Sequence, residues 1–223
     1  MTRILLTGFE PFLGRSVNPS WEAVRQLDGE VIDGAWVRAV RVPVVYGESV
    51  RVIAAELDRE PVDALVIGGL AYGRAAVNVE ALAHAVGDIP WSPDNAGRAL
   101  ANARSDGDPV GPDALLATAP VRAITRALND AGIPAVVSWD GGTYVSNATL
   151  YGALRYGRER MPGLRATYLH VPALPEMTTG TTAPSMPLEA IVRAFRIACE
   201  VLATHTGPDL PARRWPSAML PLR

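Results

Sequence analysis

The chain has 223 residues, of which 48% are hydrophobic and 20% are charged, and this balance excludes a disordered chain. Its 21 basic and 23 acidic residues give a formal net charge of -2, which excludes the basic field that nucleic-acid-binding proteins use. A single cysteine, Cys199, excludes an internal disulfide and favours a reducing compartment.

The N-terminal segment predicts a buried strand over residues 3–7, closed by the turn residues Gly8 and Pro11. This apolar run is too short for the core of a signal peptide, and no run in the chain is long enough to span a bilayer. We therefore expect a soluble cytoplasmic protein with no membrane partner. Asn18 and Pro19 then predict the start of a helix that runs to Leu27. Asn caps free N–H groups, and Pro loses no hydrogen bond at the first helical position.

The remaining segments alternate between strand-like and helix-like patterns. Up to residue 107 they predict strands over 36–45, 62–68 and 77–83, a helix over 49–57, and a loop over 85–107. Beyond it they predict helices over 112–129, 144–155 and 187–202, strands over 134–139 and 166–171, and irregular segments over 172–187 and from 207 onwards. Repeated strand–helix units predict one domain over residues 1–223, a three-layer α/β/α fold with a mostly parallel mixed sheet.

Ligands of such sheets bind in the loops at the carboxyl ends of the strands. The predicted topology therefore favours four loops as binding regions, those that follow Thr7, Gly68, Trp139 and His170. His170 itself stands where a strand meets a loop, a position suited to catalysis, although a structural histidine occupies such positions about as often.

Ser146 lies in the first turn of a predicted helix, where the positive end of the helix stabilises negative charge. A thiol there would be acidified, whereas a hydroxyl needs a strong partner base. The pattern alone favours a serine that satisfies the helix start. No GxSxG elbow surrounds it, so an α/β-hydrolase has no local support. Glu80 and His84 have the spacing of helical metal ligands, but no HExxH or cysteine pair supports a metal site. The glycines of 68–74 match no nucleotide-binding spacing.

Seven short motifs, in order along nearly the whole chain, resemble those of the type I pyroglutamyl peptidases. The N-terminal one is highly specific, and the others include the segments around Glu80, Ser146 and His170. The motifs are TGFEPF at 7–12 with NP at 18–19, VPVVYG at 42–47, GLAYGR at 69–74, PDNAG at 93–97, GTYVSN at 142–147, HVPALP at 170–175 and PSM at 184–186.

This resemblance implies a thiol peptidase that removes N-terminal pyroglutamyl residues from peptides, without metal or organic cofactor. It implies that position 146 is the nucleophile, that His170 is the base and then the acid, and that Glu80 orients the imidazole. It further implies that two aromatic rings enclose the flat lactam, with other contacts to the pyroglutamyl group nearby. The residues implied in substrate binding are Phe9, Phe12, Asn18, Leu70 and Val145. The family also implies a homo-oligomer, often a tetramer.

The chain departs from the family pattern at two places. Ser146 stands where the family has cysteine, so we expect this chain to be inactive or very slow. The segment 88–95 reads DIPWSPDN, where the family has an arginine near the oxyanion, and losing one oxyanion donor costs about 3 kcal/mol. The serine alone would fit a replacement made to trap ligand, whereas the altered loop fits a divergent natural member. Two alternatives stay open: a non-catalytic protein that binds pyroglutamate, and an oligomeric scaffold that has lost the small-molecule site.

Overall fold

The computed structural model describes residues 1–212, and the last eleven residues of the proline-containing tail lie outside the described part. The helices are α1 (Pro19–Val24), α2 (Glu48–Arg59), α3 (Val121–Asp130), α4 (Val145–Arg160) and α5 (Leu188–Thr204). The longer strands are β1 (Thr2–Phe9), β3 (Ala35–Val42), β4 (Ala64–Leu70), β5 (Val77–Glu80), β10 (Ala135–Ser138) and β11 (Arg165–Val171). The short strands are β2 (Val31–Ile32), β6 (Leu82–His84), β7 (Val86–Gly87), β8 (Ala103–Arg104) and β9 (Ala114–Leu116).

Seven strands form the central sheet, in the order β10-β5-β11-β4-β1-β3-β2. The core strands β3, β1, β4 and β11 are parallel, and β1 is buried from Ile4 to Phe9. Continuous apolar runs are typical of parallel strands covered on both faces, which is why β1 and β4 do not alternate with polar residues. The predicted three-layer α/β/α fold with a mostly parallel mixed sheet is confirmed.

Helices cover both faces of this sheet and divide the core in two. One core packs α1, α3 and α5 against alternate sheet residues such as Ile4 and Leu6. The other packs α2 and α4 against Leu5, Phe9 and Tyr168 on the opposite face. The motif residues that carry chemistry lie mainly on the α2/α4 face.

The strand β5 runs antiparallel to β11, and β10 runs parallel to β5. Only residues 71–76 join β4 to β5, whereas a parallel crossover needs a dozen or more residues. The carboxyl end of β10 is therefore not at the edge of the sheet where β1, β4 and β11 end. Residues 139–144 then lead from β10 into α4.

Most predicted elements are present, with boundaries shifted by a few residues. The helix predicted over 112–129 is wrong in its first half, because residues 114–116 form β9 and pair with β6. Pro120 restricts the residue before it to extended conformations, so α3 begins only at Val121. The predicted strand over 77–83 is two strands in different sheets, and the predicted 85–107 loop carries the β7–β8 pair. Asp209 of the tail caps α3 by accepting from two of its first N–H groups.

Candidate active site

A small pocket opens between the ends of β1 and β4 and the start of α4. It has about 30 Å³ of open space. All five predicted substrate-binding residues and the predicted nucleophile line it: Phe9, Phe12, Asn18, Leu70, Val145 and Ser146. Val44, Gly69, Tyr144 and Tyr168 complete the lining. Segments separated by more than a hundred residues thus meet in one aromatic pocket.

Glu80 and His170 form a buried hydrogen-bonded pair on β5 and β11. The Nδ1 atom of His170 lies 2.7 Å from Oε1 of Glu80, and the two residues are 4% and 1% exposed. Register explains the contact, since Glu80 lies opposite Tyr168, two residues before His170 on the same face of β11. An ionised carboxylate only accepts hydrogen bonds, so Nδ1 carries the proton and Nε2 is the basic nitrogen. This is the geometry of a base held in one tautomer by an acid.

Arg74, a residue without a predicted role, bridges this pair to the segment before α4. Its Nη1 donates to Oε1 of Glu80 at 3.0 Å, and its Nη2 donates to the carbonyl oxygen of Asp140 at 3.0 Å. The other carboxylate oxygen of Glu80 is buried without a hydrogen-bond partner. The guanidinium therefore places a positive charge and one donor against this buried carboxylate.

Ser146 occupies the second position of α4, close to the positive end of that helix. Its hydroxyl donates weakly to the carbonyl oxygen of Gly141, at 3.5 Å. Within residues 1–212, no hydrogen bond joins Ser146 to His170. The next residue, Asn147, exchanges hydrogen bonds with the backbone of His84, which fastens the start of α4 to β6.

Tyr168 lies between the pocket and the buried pair. Its ring centroid is 4.3 Å from that of His170 and 6.3 Å from that of Phe9. Burial raises the pKa of Tyr168 well above its usual value, and the charge of Glu80 adds to this effect. The hydroxyl fits only because residue 69 is glycine, since a Cβ atom there would overlap it. A tyrosine inside an apolar strand is typical of core packing, so the sequence pattern gave no signal for this residue.

Asn18 serves mainly as a helix cap, as predicted from the sequence. Its side-chain oxygen accepts from the backbone N–H and the hydroxyl of Ser20, and its Nδ2 donates to the carbonyl oxygen of Glu10 at 3.0 Å. Gly8 lets α1 approach β1, because a Cβ atom there would lie 2.5 Å from the Cα of Trp21. These contacts fix the loop that carries Phe12.

The PDNAG motif at 93–97 fastens the rim of the pocket. The carboxylate of Asp94 accepts from the backbone N–H of Tyr46, Ala96 and Arg98. The amide of Asn95 donates to Oε1 of Glu10 at 2.7 Å and to the carbonyl oxygen of Pro11 at 2.9 Å. Tyr144 in turn donates to the carbonyl oxygen of Pro93 at 2.9 Å. Trp91 in the preceding segment is 78% exposed.

Neither a metal site nor a membrane helix is present in the described part of the chain. Residues 1–212 contain no group of three or more His, Cys, Asp or Glu side chains arranged to hold a metal ion. No helix among them is both long and apolar enough to cross a membrane. The spacing of Glu80 and His84 does not form ligands, because Glu80 ends one strand and His84 ends another.

Comparison with known proteins gives matches over most of the chain. A family model described as pyroglutamyl peptidase matches residues 2–205. The pyrrolidone-carboxylate peptidase of Chromobacterium violaceum is 43% identical over 213 residues, which cover 94% of this chain and 96% of the relative. That of Erwinia tasmaniensis is 40% identical over 205 residues, which cover 90% of this chain and 92% of the relative.

Solved structures show the same similarity. The pyroglutamyl peptidase I of Bacillus amyloliquefaciens superimposes with a TM-score of 0.90 at 33% identity, over 94% of this chain and 100% of the other. The pyrrolidone carboxyl peptidase of Thermococcus litoralis superimposes with a TM-score of 0.90 at 31% identity, over 96% of this chain and 100% of the other.

Proposed function

Because this chain belongs to the pyroglutamyl peptidase family, we propose that its pocket holds the N-terminal pyroglutamyl residue of a peptide. Ser146, His170 and Glu80 then serve as nucleophile, base and orienter. The observation that carries the proposal is the buried Glu80–His170 pair, 2.7 Å apart, beside an aromatic pocket that contains Ser146. Aromatic faces suit a flat, uncharged lactam, which supports Phe9 and Phe12 as its neighbours.

Two half-buried aromatic residues of the pocket lining, Phe12 and Tyr144, have ring centroids 6.0 Å apart. Their rings offer flat apolar faces to a flat lactam.

In the proposed reaction, His170 accepts the proton of residue 146 through Nε2 while the nucleophile attacks the pyroglutamyl carbonyl. The imidazolium then gives that proton to the departing amine, and water hydrolyses the acyl intermediate. We expect the serine chain to be inactive or very slow. A hydroxyl is much harder to ionise than a thiol, and this one donates to Gly141 rather than to the base.

The test compares this chain with its Ser146→Cys variant on a fluorogenic pyroglutamyl amide. We expect turnover in the cysteine form at rates typical of thiol enzymes, and a rate at least a hundredfold lower in the serine form. Ser146→Cys/His170→Ala serves as the control for background thiol reactivity. Rapid turnover by the serine form would refute the expected inactivity, and a dead cysteine form would direct attention to the segment around Trp91.

A non-catalytic role is the second candidate, and it is favoured by a serine at position 146 that, among residues 1–212, has no hydrogen bond to His170. In that case the chain binds pyroglutamate or a pyroglutamyl peptide and releases it unchanged. Calorimetry separates the two functions: affinity for pyroglutamate in the Ser146→Cys form without turnover of the amide supports the binding role. A cytoplasmic location and a homo-oligomeric state remain expectations of the same proposal.

A further inference from the structure

The Tyr168 hydroxyl is a hydrogen-bonding group in the pocket that the proposed function does not use. Tyr168 is 1% exposed, yet its side chain forms part of the pocket lining together with Ser146 and Gly69. Ser146 and Tyr168 line the same pocket, and a tyrosine hydroxyl has one O–H donor that it can offer to a ligand there.

The surroundings of this hydroxyl hold it at one point. Gly69 leaves room for the oxygen, and the ring is packed between Phe9 and His170. Because burial and the nearby carboxylate of Glu80 raise the pKa of Tyr168 well above its usual value, the group stays protonated and donates. A fixed, neutral donor next to the nucleophile is what stabilises a developing oxyanion.

Resting on the proposed function, we propose that the Tyr168 hydroxyl donates a hydrogen bond to the carbonyl oxygen attacked by residue 146. As the bond from residue 146 to the carbonyl carbon forms, the π electron pair moves onto that oxygen. Tyr168 stabilises the charge without giving up its proton, and the pair returns when the C–N bond breaks. Tyr168 thereby acts as a catalytic residue and supplies a donor that the DIPWSPDN segment lacks.

The first test is Tyr168→Phe in the Ser146→Cys chain, because this change removes one oxygen and keeps the ring. Loss of one oxyanion donor lowers kcat by about a hundredfold or more in other enzymes, so we expect a fall of that order with KM within about twofold. Tyr151→Phe is the matched control: Tyr151 is also fully buried, but its hydroxyl donates to the carbonyl oxygen of Pro112, outside the pocket. We expect Tyr151→Phe to leave kcat unchanged.

The second test measures binding and does not require turnover. The aldehyde of pyroglutamic acid forms a tetrahedral adduct with a thiol at position 146, whereas the corresponding alcohol occupies the pocket without forming one. We expect Tyr168→Phe to weaken the aldehyde about tenfold or more, which is the loss of about one hydrogen bond, and to leave the alcohol unchanged. Thermal unfolding of each variant checks that the fold is retained.

The outcomes separate this inference from the proposed function. If Tyr168→Phe weakens the aldehyde and the alcohol equally, Tyr168 contacts the lactam. If kcat and both affinities are unchanged, the hydroxyl only packs. Either result overturns this inference and leaves the proposed function standing. If the Ser146→Cys chain itself neither hydrolyses the amide nor binds either compound, the proposed function fails and the inference fails with it.

Discussion

Arg74 is the residue whose removal most directly tests the electrostatics of the site. Its Nη1 lies 3.0 Å from Oε1 of Glu80, which is 1% exposed, while the arginine side chain is 31% exposed. At this distance and an effective dielectric constant of about 20, the attraction is about 5 kcal/mol before desolvation is subtracted. Breaking a fully buried pair costs roughly 3–5 kcal/mol. Partial exposure of Arg74 reduces this, so we expect Arg74→Met to lower the free energy of unfolding by about 2–3 kcal/mol.

Urea denaturation of this chain and of Arg74→Met, Glu80→Gln and the double variant isolates the pairwise contribution. We expect a coupling energy of about 2 kcal/mol between the two positions, because Glu80→Gln removes the charge that Arg74 neutralises. Arg51→Met is the matched control, since Arg51 pairs with Glu48 on the exposed surface of α2. We expect no measurable change in stability from that substitution.

A coupling energy below about 0.5 kcal/mol between positions 74 and 80 would refute this reasoning. So would an equal loss of stability in Arg74→Met and Arg51→Met. The first result would mean that the buried carboxylate of Glu80 is held by His170 and the sheet alone. The second would mean that burial does not distinguish the two ion pairs.

Two further predictions concern titratable groups. Burial raises the pKa of Tyr46 to about 12, with Tyr144 and Asp94 adding to the effect, so the folded chain keeps a proton that the unfolded chain releases near pH 10. The stability that this proton contributes should therefore be fully present below about pH 10 and be lost as the pH rises towards 12. Between these pH values, the midpoint of urea unfolding should fall less steeply with pH in Tyr46→Phe than in this chain. Burial also raises the pKa of the Cys199 thiol to about 12. A disulfide-exchange reagent should therefore find no reactive thiol in the native chain and one reactive thiol in Ser146→Cys. A second reactive thiol in that variant would contradict the buried position of Cys199.

Local chemistry explains which parts of the fold were predictable from the sequence. Asn18 and Pro19 predict the start of α1 because capping depends only on neighbouring residues, and the structure has Asn18 as the cap. The apolar runs of β1, β4 and β11 likewise predict buried strands. The helix predicted from residue 112 fails because pairing of β9 with β6, a contact between distant segments, overrides local propensity.

The candidate site likewise has a part that the sequence predicts and a part that it does not. The motif resemblance pointed to Glu80, Ser146 and His170, but the role of Arg74 depends on β5 running antiparallel to β11. The six residues between β4 and β5 are too few for a parallel crossover, which indicates an antiparallel β5. The sequence does not show, however, which strand lies beside β5. No sequence pattern indicates Tyr168, because the place of its hydroxyl depends on the packing of β11 beside α4.

The serine at position 146 is therefore best judged by the groups that surround it. The carboxylate of Glu80 is held by two donors, and Nε2 of His170 is the free base of the pair. Such a pair can assist a hydroxyl as well as a thiol, provided that the hydroxyl donates to the base. In this chain it lies 3.5 Å from the carbonyl oxygen of Gly141 and, among residues 1–212, has no hydrogen bond to His170. We therefore expect Ser146→Cys to raise the rate, and any activity still missing from that variant to trace to the segment around Trp91.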